Sequence, residues 1–435
     1  MSLSENIGFN LLFVLPYFLQ GIFTKTPFWV DVFTRFHPDY SAVRFVQRLR
    51  AKYKSSYLYV YMLRNRTVLV LDRAGIEQVL QQSPAVYGPP ELKVRGMTHF
   101  QPGAVTISDG KDWQERRVFN EAVLESKQRV HSEASKFLTI VRDEVSNLTN
   151  GSLSRLRWGQ FDYLFKRITL QVIFGTQAKS DFGLTDRLDL MMRESNRVFL
   201  LGKSCAFDAF YAQIRAFLAA PDGDSLASKC PHAASTANTR VENQIPHWMF
   251  AMMETLATNT LRAFALILSH PAAEARVRNE LRDQDLLLPQ AVDGFDYLEG
   301  CLQEAMRLWP TTSFLARQTD GETQLAGCTV PAKTQVLIMN NFNHRDWETV
   351  PFADQFYPDF WLNTRSDYRF NHLSNGAQYC AGKSLALLLG KAVLGNLLSA
   401  RRYRLIAPRL DPTRRLPYGF NEFRVEFADI TGAIS

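Results

Sequence analysis

Residues 57–71 alternate at a period of two: Tyr57-Leu-Tyr-Val-Tyr-Met-Leu63, then Arg64-Asn65-Arg66, then Thr67-Val-Leu-Val-Leu71. Aromatic and β-branched residues at that period predict a hairpin that turns at 64–66. Asp72 follows as the N-cap of a short helix through about Gln82. Elsewhere the apolar spacing is helical, over 111–149, 160–176, 184–218, 243–269, 272–284, 297–309 and 381–400. Short β-like pieces occur at 326–339 and near the C-terminus. Asp296 with Glu299 reads as a capping box, and Pro310 ends the helix that starts there. The stretch 219–240 is small, polar and turn-rich, so it predicts a mobile surface loop. No repeat is visible. The pattern therefore predicts a single domain over 1–435, mainly α with a small β part.

The first 30 residues are apolar but interrupted by Asn10, Pro16 and Gln20, short of the ~20 apolar residues a spanning helix needs. No basic residue precedes this run and no clear cleavage site follows, which argues against a signal peptide. Packing against the body of the protein is the favoured expectation, with peripheral membrane contact through the N-terminus left open. The five cysteines are spread widely with no CxxC pair, which argues against a disulfide framework or a zinc site and for a reducing, cytoplasmic compartment. A net charge of +7 over 435 residues, with no long basic run, makes nucleic acid a poor partner. A basic patch for an acidic protein partner fits better, and Arg116, Lys383 and Lys391 are candidates for it.

One cysteine stands apart. Cys380 lies in Leu373-Ser-Asn-Gly376-Ala-Gln378-Tyr-Cys380-Ala-Gly382, directly before an apolar helix pattern. Glycine permits close backbone approach and turn dihedrals closed to other residues. At a helix N-terminus the dipole and free N–H groups lower a thiol's pKa, which suits a thiolate metal ligand. A buried free cysteine is an equally good reading of this segment. Glu304 and Arg307, three apart on one helix face, are placed to pair.

Glu304-Ala-Met-Arg307 followed by Leu-Trp-Pro, then His344-Arg-Asp, Phe356-Tyr-Pro358-Asp, and Gly376-x-x-x-Cys380-x-Gly382 resembles the cytochrome P-450 superfamily of haem-thiolate monooxygenases. Upstream, Trp113-x-x-x-Arg117 is similar to that family's propionate-binding helix, and Ala251-Met252-Met253-Glu254-Thr255 to its oxygen-activating helix. The resemblance implies a P-450 fold, with haem b (iron protoporphyrin IX) between the oxygen-activating helix and the helix that follows the cysteine loop. It implies Cys380 as the iron ligand and Trp113, Arg117 and Arg317 as holders of the propionates, with Gln378 and Gly382 also at the cofactor. It implies Glu254 and Thr255 as the acid–alcohol pair that delivers protons during oxygen activation, and Glu304 with Arg307 as a structural pair. The length resembles a soluble bacterial member that takes electrons from a separate ferredoxin or flavodoxin-like donor and oxidises an apolar small molecule. Its pocket walls are expected at 84–107, 195–218, Met249–Thr255 and 311–316.

Several positions depart from the family pattern. Gln378 stands where Arg or His is usual, Leu373 where Phe is usual, Met252 where glycine commonly leaves room beside the oxygen site, and Phe360 where an arginine usually completes the Glu–Arg network. Met252 and Gln378 motivate a peroxide-dependent or hydroperoxide-rearranging haem-thiolate enzyme as an alternative; a non-catalytic haem sensor or ligand carrier is the alternative of another class. His247, His344 and His372 are read as packing or hydrogen-bonding residues.

Overall fold

The computed structural model describes residues 1–36, 38–62, 65–151, 154–197, 202–364 and 366–433. The N-terminal segment forms α1 (Leu3–Phe9), a π-helical turn (Asn10–Val14), α2 (Leu15–Gln20), α3 (Pro27–Phe36) and α4 (Pro38–Tyr53). The alternation at 57–71 becomes the antiparallel hairpin β1 (Tyr57–Met62) and β2 (Asn65–Val70), in register from Tyr57↔Val70 to Met62↔Asn65. Asn65 and Arg66, expected in the turn, therefore belong to the strand; residues 63 and 64 lie outside the described residues. The Asp72 carboxylate accepts the Gly75 N–H at 2.7 Å and caps α5 (Arg73–Gln81).

After β3 (Tyr87–Gly88) and α6 (Glu91–Thr98), the long helical pattern at 111–149 divides into α7 (Gly110–Val123) and α8 (Ala134–Thr149). Between them Glu125 takes φ +47°, which no α-helix tolerates. β4 (Arg155–Arg157), α9 (Trp158–Phe174), α10 (Phe182–Ser195) and α11 (Phe207–Ala219) follow. The segment 219–240 is not an unpacked surface loop: it contains α12 (Leu226–Lys229), and Leu226, Ala227 and Cys230 are buried in the main core. Its small and polar residues hide three core positions.

α13 (Val241–Phe250), a π-helical turn (Ala251–Leu256) and α14 (Ala257–Ser269) form one continuous rod through the centre, and α15 (Pro271–Glu280), α16 (Pro289–Asp293) and α17 (Asp296–Leu308) follow it. The capping box expected on α17 does not form. Phe295 is the N-cap, and the first-turn N–H groups of Tyr297 and Leu298 donate instead to the two oxygens of Glu280, each at 2.9 Å. A carboxylate from another helix that accepts two donors outcompetes a local cap that accepts one.

β5 (Phe314–Thr319), β6 (Thr323–Leu325), β7 (Cys328–Val330) and β8 (Gln335–Met339) supply the β-like region, ahead of α18 (Asn340–Asn343) and α19 (Asp359–Leu362). The larger sheet runs β1-β2-β8-β5-β3, with β2 and β8 parallel. α20 (Lys383–Ala400) then crosses the core, before β9 (Tyr403–Ala407) and β10 (Glu426–Asp429) join β4 in a three-stranded sheet. α20 has the length and apolarity of a membrane span, but 67% of it is buried inside the protein, as its all-round apolar surface requires.

Candidate haem and oxygen site

The cysteine loop is set by Gly376. Its φ is +68°, and a Cβ there would lie 2.3 Å from the Leu80 carbonyl oxygen at the end of α5, so only glycine lets the loop tuck in. Gly382 differs from expectation: its dihedrals are ordinary, and a Cβ would meet nothing nearer than Leu124 at 3.8 Å. The Cys380 N–H donates to Leu373 O at 2.9 Å and closes the loop. On either side of the cysteine, Tyr379 O accepts from Arg117 Nη1 at 2.7 Å and Ala381 O accepts from Ser126 Oγ. Burial raises the Cys380 thiol pKa, against the pull of the Gly382 N–H, Arg117 and Lys383. The lowered thiol pKa expected from a helix N-terminus is thus outweighed by desolvation.

Basic side chains gather on α7, β5, α6 and α13, and of them Arg317 and Lys93 meet no acid among the described residues. Arg117 on α7 lies 4.3 Å from the Tyr379 ring and donates to Glu121, but its Nη2 is buried with no partner among the described residues. Arg317 on β5 is 6% exposed, donates only to the neutral oxygens of Ser83 and Ala316 among the described residues, and is pulled by burial to about 10. Lys93 on α6 donates to Thr106 O at 2.9 Å and is pulled by burial and by Arg317 to about 7. His247 on α13 is pulled by burial and by Lys93 to about 4, and its Nδ1 has no partner among the described residues. Arg317 and Lys93 oppose each other without a counter-ion and Arg117 keeps one donor unused beyond Glu121, a costly arrangement that suits an anionic ligand. Trp113 is half-buried one turn before Arg117 on the same face of α7, and Gln378 lies on the turn Gly376–Gln378.

These residues fit haem: a thiol in a clamped loop for the iron, and Arg317, Lys93 and the unused Nη2 of Arg117 for two propionates. Lys93 and His247 were missed by sequence reasoning. The signal for Lys93 was a lysine inside the otherwise apolar wall Leu92–Val94; His247 was read as a packing residue.

The oxygen-helix candidates sit where the central rod changes pitch. Midway along this mostly buried rod, His247, Phe250, Ala251, Glu254 and Thr255 are partly exposed, and Phe250, Glu254 and Thr255 wall an internal space. The π-helical turn at 251–256 widens the backbone at Met252 itself, so the distortion that glycine usually permits is present with a methionine there. Gly390 lets α20 pack closely on α17 and on this rod, since a Cβ there would lie 2.6 Å from Leu302 of α17 and 3.4 Å from Leu256 of the rod. Lys383 is seven residues before that crossing, about 10 Å along the helix, which fixes the cysteine loop relative to Thr255.

Glu254 and Thr255 line a cavity of about 150 Å³. Phe250, Thr311, Ser313 and Phe314 line it as expected; among the described residues nothing from 84–107 or 195–218 does, and Tyr17 and Thr24 from the N-terminus and Phe420 from the C-terminal part take their place. Burial, then Asp189, lifts the Glu254 carboxyl to about 8, while the Thr24 hydroxyl pulls the other way.

Glu304 and Arg307 are both fully buried and meet in a bidentate pair at 2.8 and 2.7 Å. Arg307 also donates to the carbonyls of His344, Phe352, Ala353 and Gln355. Glu304 accepts the Tyr357 N–H at 2.8 Å and the Trp361 indole N–H at 2.9 Å. The third partner is thus Trp361, one residue beyond Phe360. His344 serves local structure as expected, linking Arg307 O to the Asn371 N–H. Two of the three proposed docking cations are not available: Arg116 is buried on Ser108, Asp112 and Asn238, and Lys391 is 1% exposed and bound to Glu299 and Asp293.

Comparisons with known proteins converge on this architecture. Residues 214–417 match the family model described as Cytochrome P450, a span that holds Glu254, Glu304, Arg307 and Cys380. Curated relatives include Cytochrome P450 4c3 of Drosophila melanogaster, 28% identical over 39% of this chain and 34% of the relative. Another is Cyclooctat-9-en-7-ol 5-monooxygenase of Streptomyces melanosporofaciens, 29% identical over 38% of this chain and 37% of the relative. The chain thus spans about a third of the length of the curated relatives it matches. Among solved structures, CYP175A1 from Thermus thermophillus superposes with a TM-score of 0.65 at 18% identity, covering 89% of this chain and 94% of that one. A 6-coordinated cytochrome P450 from Thermus thermophilus gives 0.62 at 19% identity, covering 83% and 92%.

Proposed function

We infer that this chain, which belongs to the cytochrome P450 superfamily, is a haem-thiolate monooxygenase that inserts one oxygen atom from O2 into an apolar or amphipathic organic substrate. The observation that carries this reading is the clamped Cys380 loop together with Arg317 and Lys93, which have no acid partner among the described residues, and the unused Nη2 of Arg117. Haem, proposed here as haem b, supplies the binding and reductive activation of oxygen. Cys380 Sγ would ligate the iron, Arg117, Arg317 and Lys93 would hold and neutralise the propionates, and Trp113 would offer them its indole N–H. Glu254 and Thr255 stand at the cavity wall, where a carboxyl that retains a proton near neutral pH and a neighbouring hydroxyl relay protons inward. The apolar wall at Phe250, Pro310 and Phe314 excludes water and binds substrate.

Electrons come from a separate ferredoxin or flavodoxin-like donor in the cytoplasm. With such a donor, NADPH and oxygen, the haem-loaded protein is expected to consume oxygen and NADPH in step with substrate oxidation, and its reduced carbon-monoxide adduct to show the thiolate-type band. Turnover with peroxide alone, and none with a reductase, would instead support the peroxide-dependent alternative. The retained Glu254–Thr255 pair favours the oxygen-dependent reading.

Leu3, Ile7, Leu11 and Leu15 recur every fourth residue and are 79%, 53%, 57% and 45% exposed, while Phe9, Phe13 and Val14 on the other face are buried. On a chain of net charge +7 this outward stripe suits the surface of an anionic bilayer. The full chain is expected to co-sediment with phosphatidylserine-containing vesicles, and Ile7→Glu/Leu11→Glu to stay in the supernatant. Equal sedimentation of the two proteins would remove this contact from the proposal.

A further inference from the structure

We propose that the N-terminal strap, residues 20–25, is part of the active site, and that Thr24 is a positioning residue for the Glu254 carboxyl. The proposal rests on the monooxygenase reading and extends it to residues that no motif contains.

The Thr24 hydroxyl donates to Glu254 Oε1 at 3.0 Å, and among the described residues it is that carboxyl's hydrogen-bond partner. The strap that carries Thr24 is held from both sides. Asn196, at the end of α10, accepts the Phe23 N–H at 2.9 Å and donates from Nδ2 to Thr24 O at 2.9 Å. Gly21 takes φ +95°, and a Cβ there would lie 2.1 Å from Thr24 O and 2.8 Å from Asn196 Nδ2, so the turn admits glycine alone. The Thr26 N–H closes the turn on Gln20 O at 2.8 Å. Phe23 is 8% exposed and meets Phe100 edge-on, and Tyr17 meets the cavity residue Phe314 edge-on at 4.8 Å. A segment that merely covered the protein would not need an asparagine clamp and a forced turn to aim one hydroxyl.

The charged surroundings of Glu254 explain why that hydroxyl matters. Asp189 on α10, Asp162 on α9 and Glu422 all oppose its ionisation. The nearby cations are engaged with these acids: Lys166 binds Asp162 and Asp189, and Arg262 binds Glu422 and the Trp309 carbonyl. Lys25 lines the same cavity. An O–H donor favours the carboxylate form of its acceptor, and a threonine hydroxyl can also accept, so Thr24 fixes the rotamer of Glu254 in either protonation state.

The test is Thr24→Val, which keeps shape and removes the donor, beside Thr24→Ser, which restores it, in the full haem-loaded chain. The protonated-carboxyl infrared band that disappears in Glu254→Gln is expected to titrate about one to two pH units higher in Thr24→Val than in the unchanged protein. The limb of the turnover–pH profile that depends on Glu254 should move with it, and Thr24→Ser should return both. An unshifted carboxyl band in Thr24→Val would overturn the proposal, whatever the variant's stability. A shifted band in a protein that lacks the thiolate-type carbon-monoxide spectrum would leave Thr24 as the positioning residue and defeat the monooxygenase reading instead.

Discussion

Cys380→Ala is expected to abolish the thiolate-type spectrum of the reduced carbon-monoxide adduct and to reduce turnover by more than the ~10–100-fold that loss of an outer partner of a metal ligand costs. The structure makes this substitution unusually clean. The loop is held by backbone atoms, through Cys380 N–H to Leu373 O, Tyr379 O to Arg117 and Ala381 O to Ser126, and none of these uses the sulfur. Gly376, which forces the turn, is untouched. The variant should therefore fold and keep the cationic pocket of Arg117, Arg317 and Lys93, so that residual haem binding through the propionates separates the loss of the ligand from the loss of the fold. Difference spectra of the reduced protein with carbon monoxide, taken beside a haem stoichiometry, measure both. An unchanged thiolate spectrum in Cys380→Ala would remove Cys380 from the site.

What could be read beforehand follows from how far apart the interacting residues are in the chain. The hairpin at 57–70 was legible because period two is a local property, and the Glu304–Arg307 pair because three residues on a helix share a face. The resemblance set Cys380 in order with the motifs upstream, and the structure brings its loop against Arg117 and Ser126. The break between α7 and α8 was not, because apolar spacing continues across Glu125 and the chain's turn there is a backbone event. Thr24 and Glu254 are 230 residues apart, and nothing in either segment announces the other. The same is true of Glu280, which takes over the cap of α17 from Asp296, and of Lys93, whose meaning depends on Arg317 lying beside it. Lys391 shows the reverse error: a basic residue read as surface is buried because Glu299 and a carbonyl of α16 receive it.

Glu304→Ala is expected to be the most destabilising single change among those considered, and the reason lies in what it would leave behind. Breaking a buried ion pair from one side costs about 3–5 kcal/mol, because the remaining charge keeps its burial and loses its partner. Here Arg307 would retain four carbonyls and no anion, and the part-buried Tyr357 N–H and Trp361 indole would lose their acceptor, adding to that cost. Against a total stability of about 5–15 kcal/mol, the variant should lose its cooperative urea transition or fail to accumulate. Glu304→Gln keeps one acceptor for Trp361 or Tyr357 and should fall in between. The double change Glu304→Leu/Arg307→Leu removes both charges, so it should recover part of what Glu304→Ala loses even though it removes more hydrogen bonds. Urea midpoints of the haem-loaded proteins order the series. An unfolding free energy of Glu304→Ala within about 1 kcal/mol of the unchanged protein would mean that the pair does not organise this side of the fold.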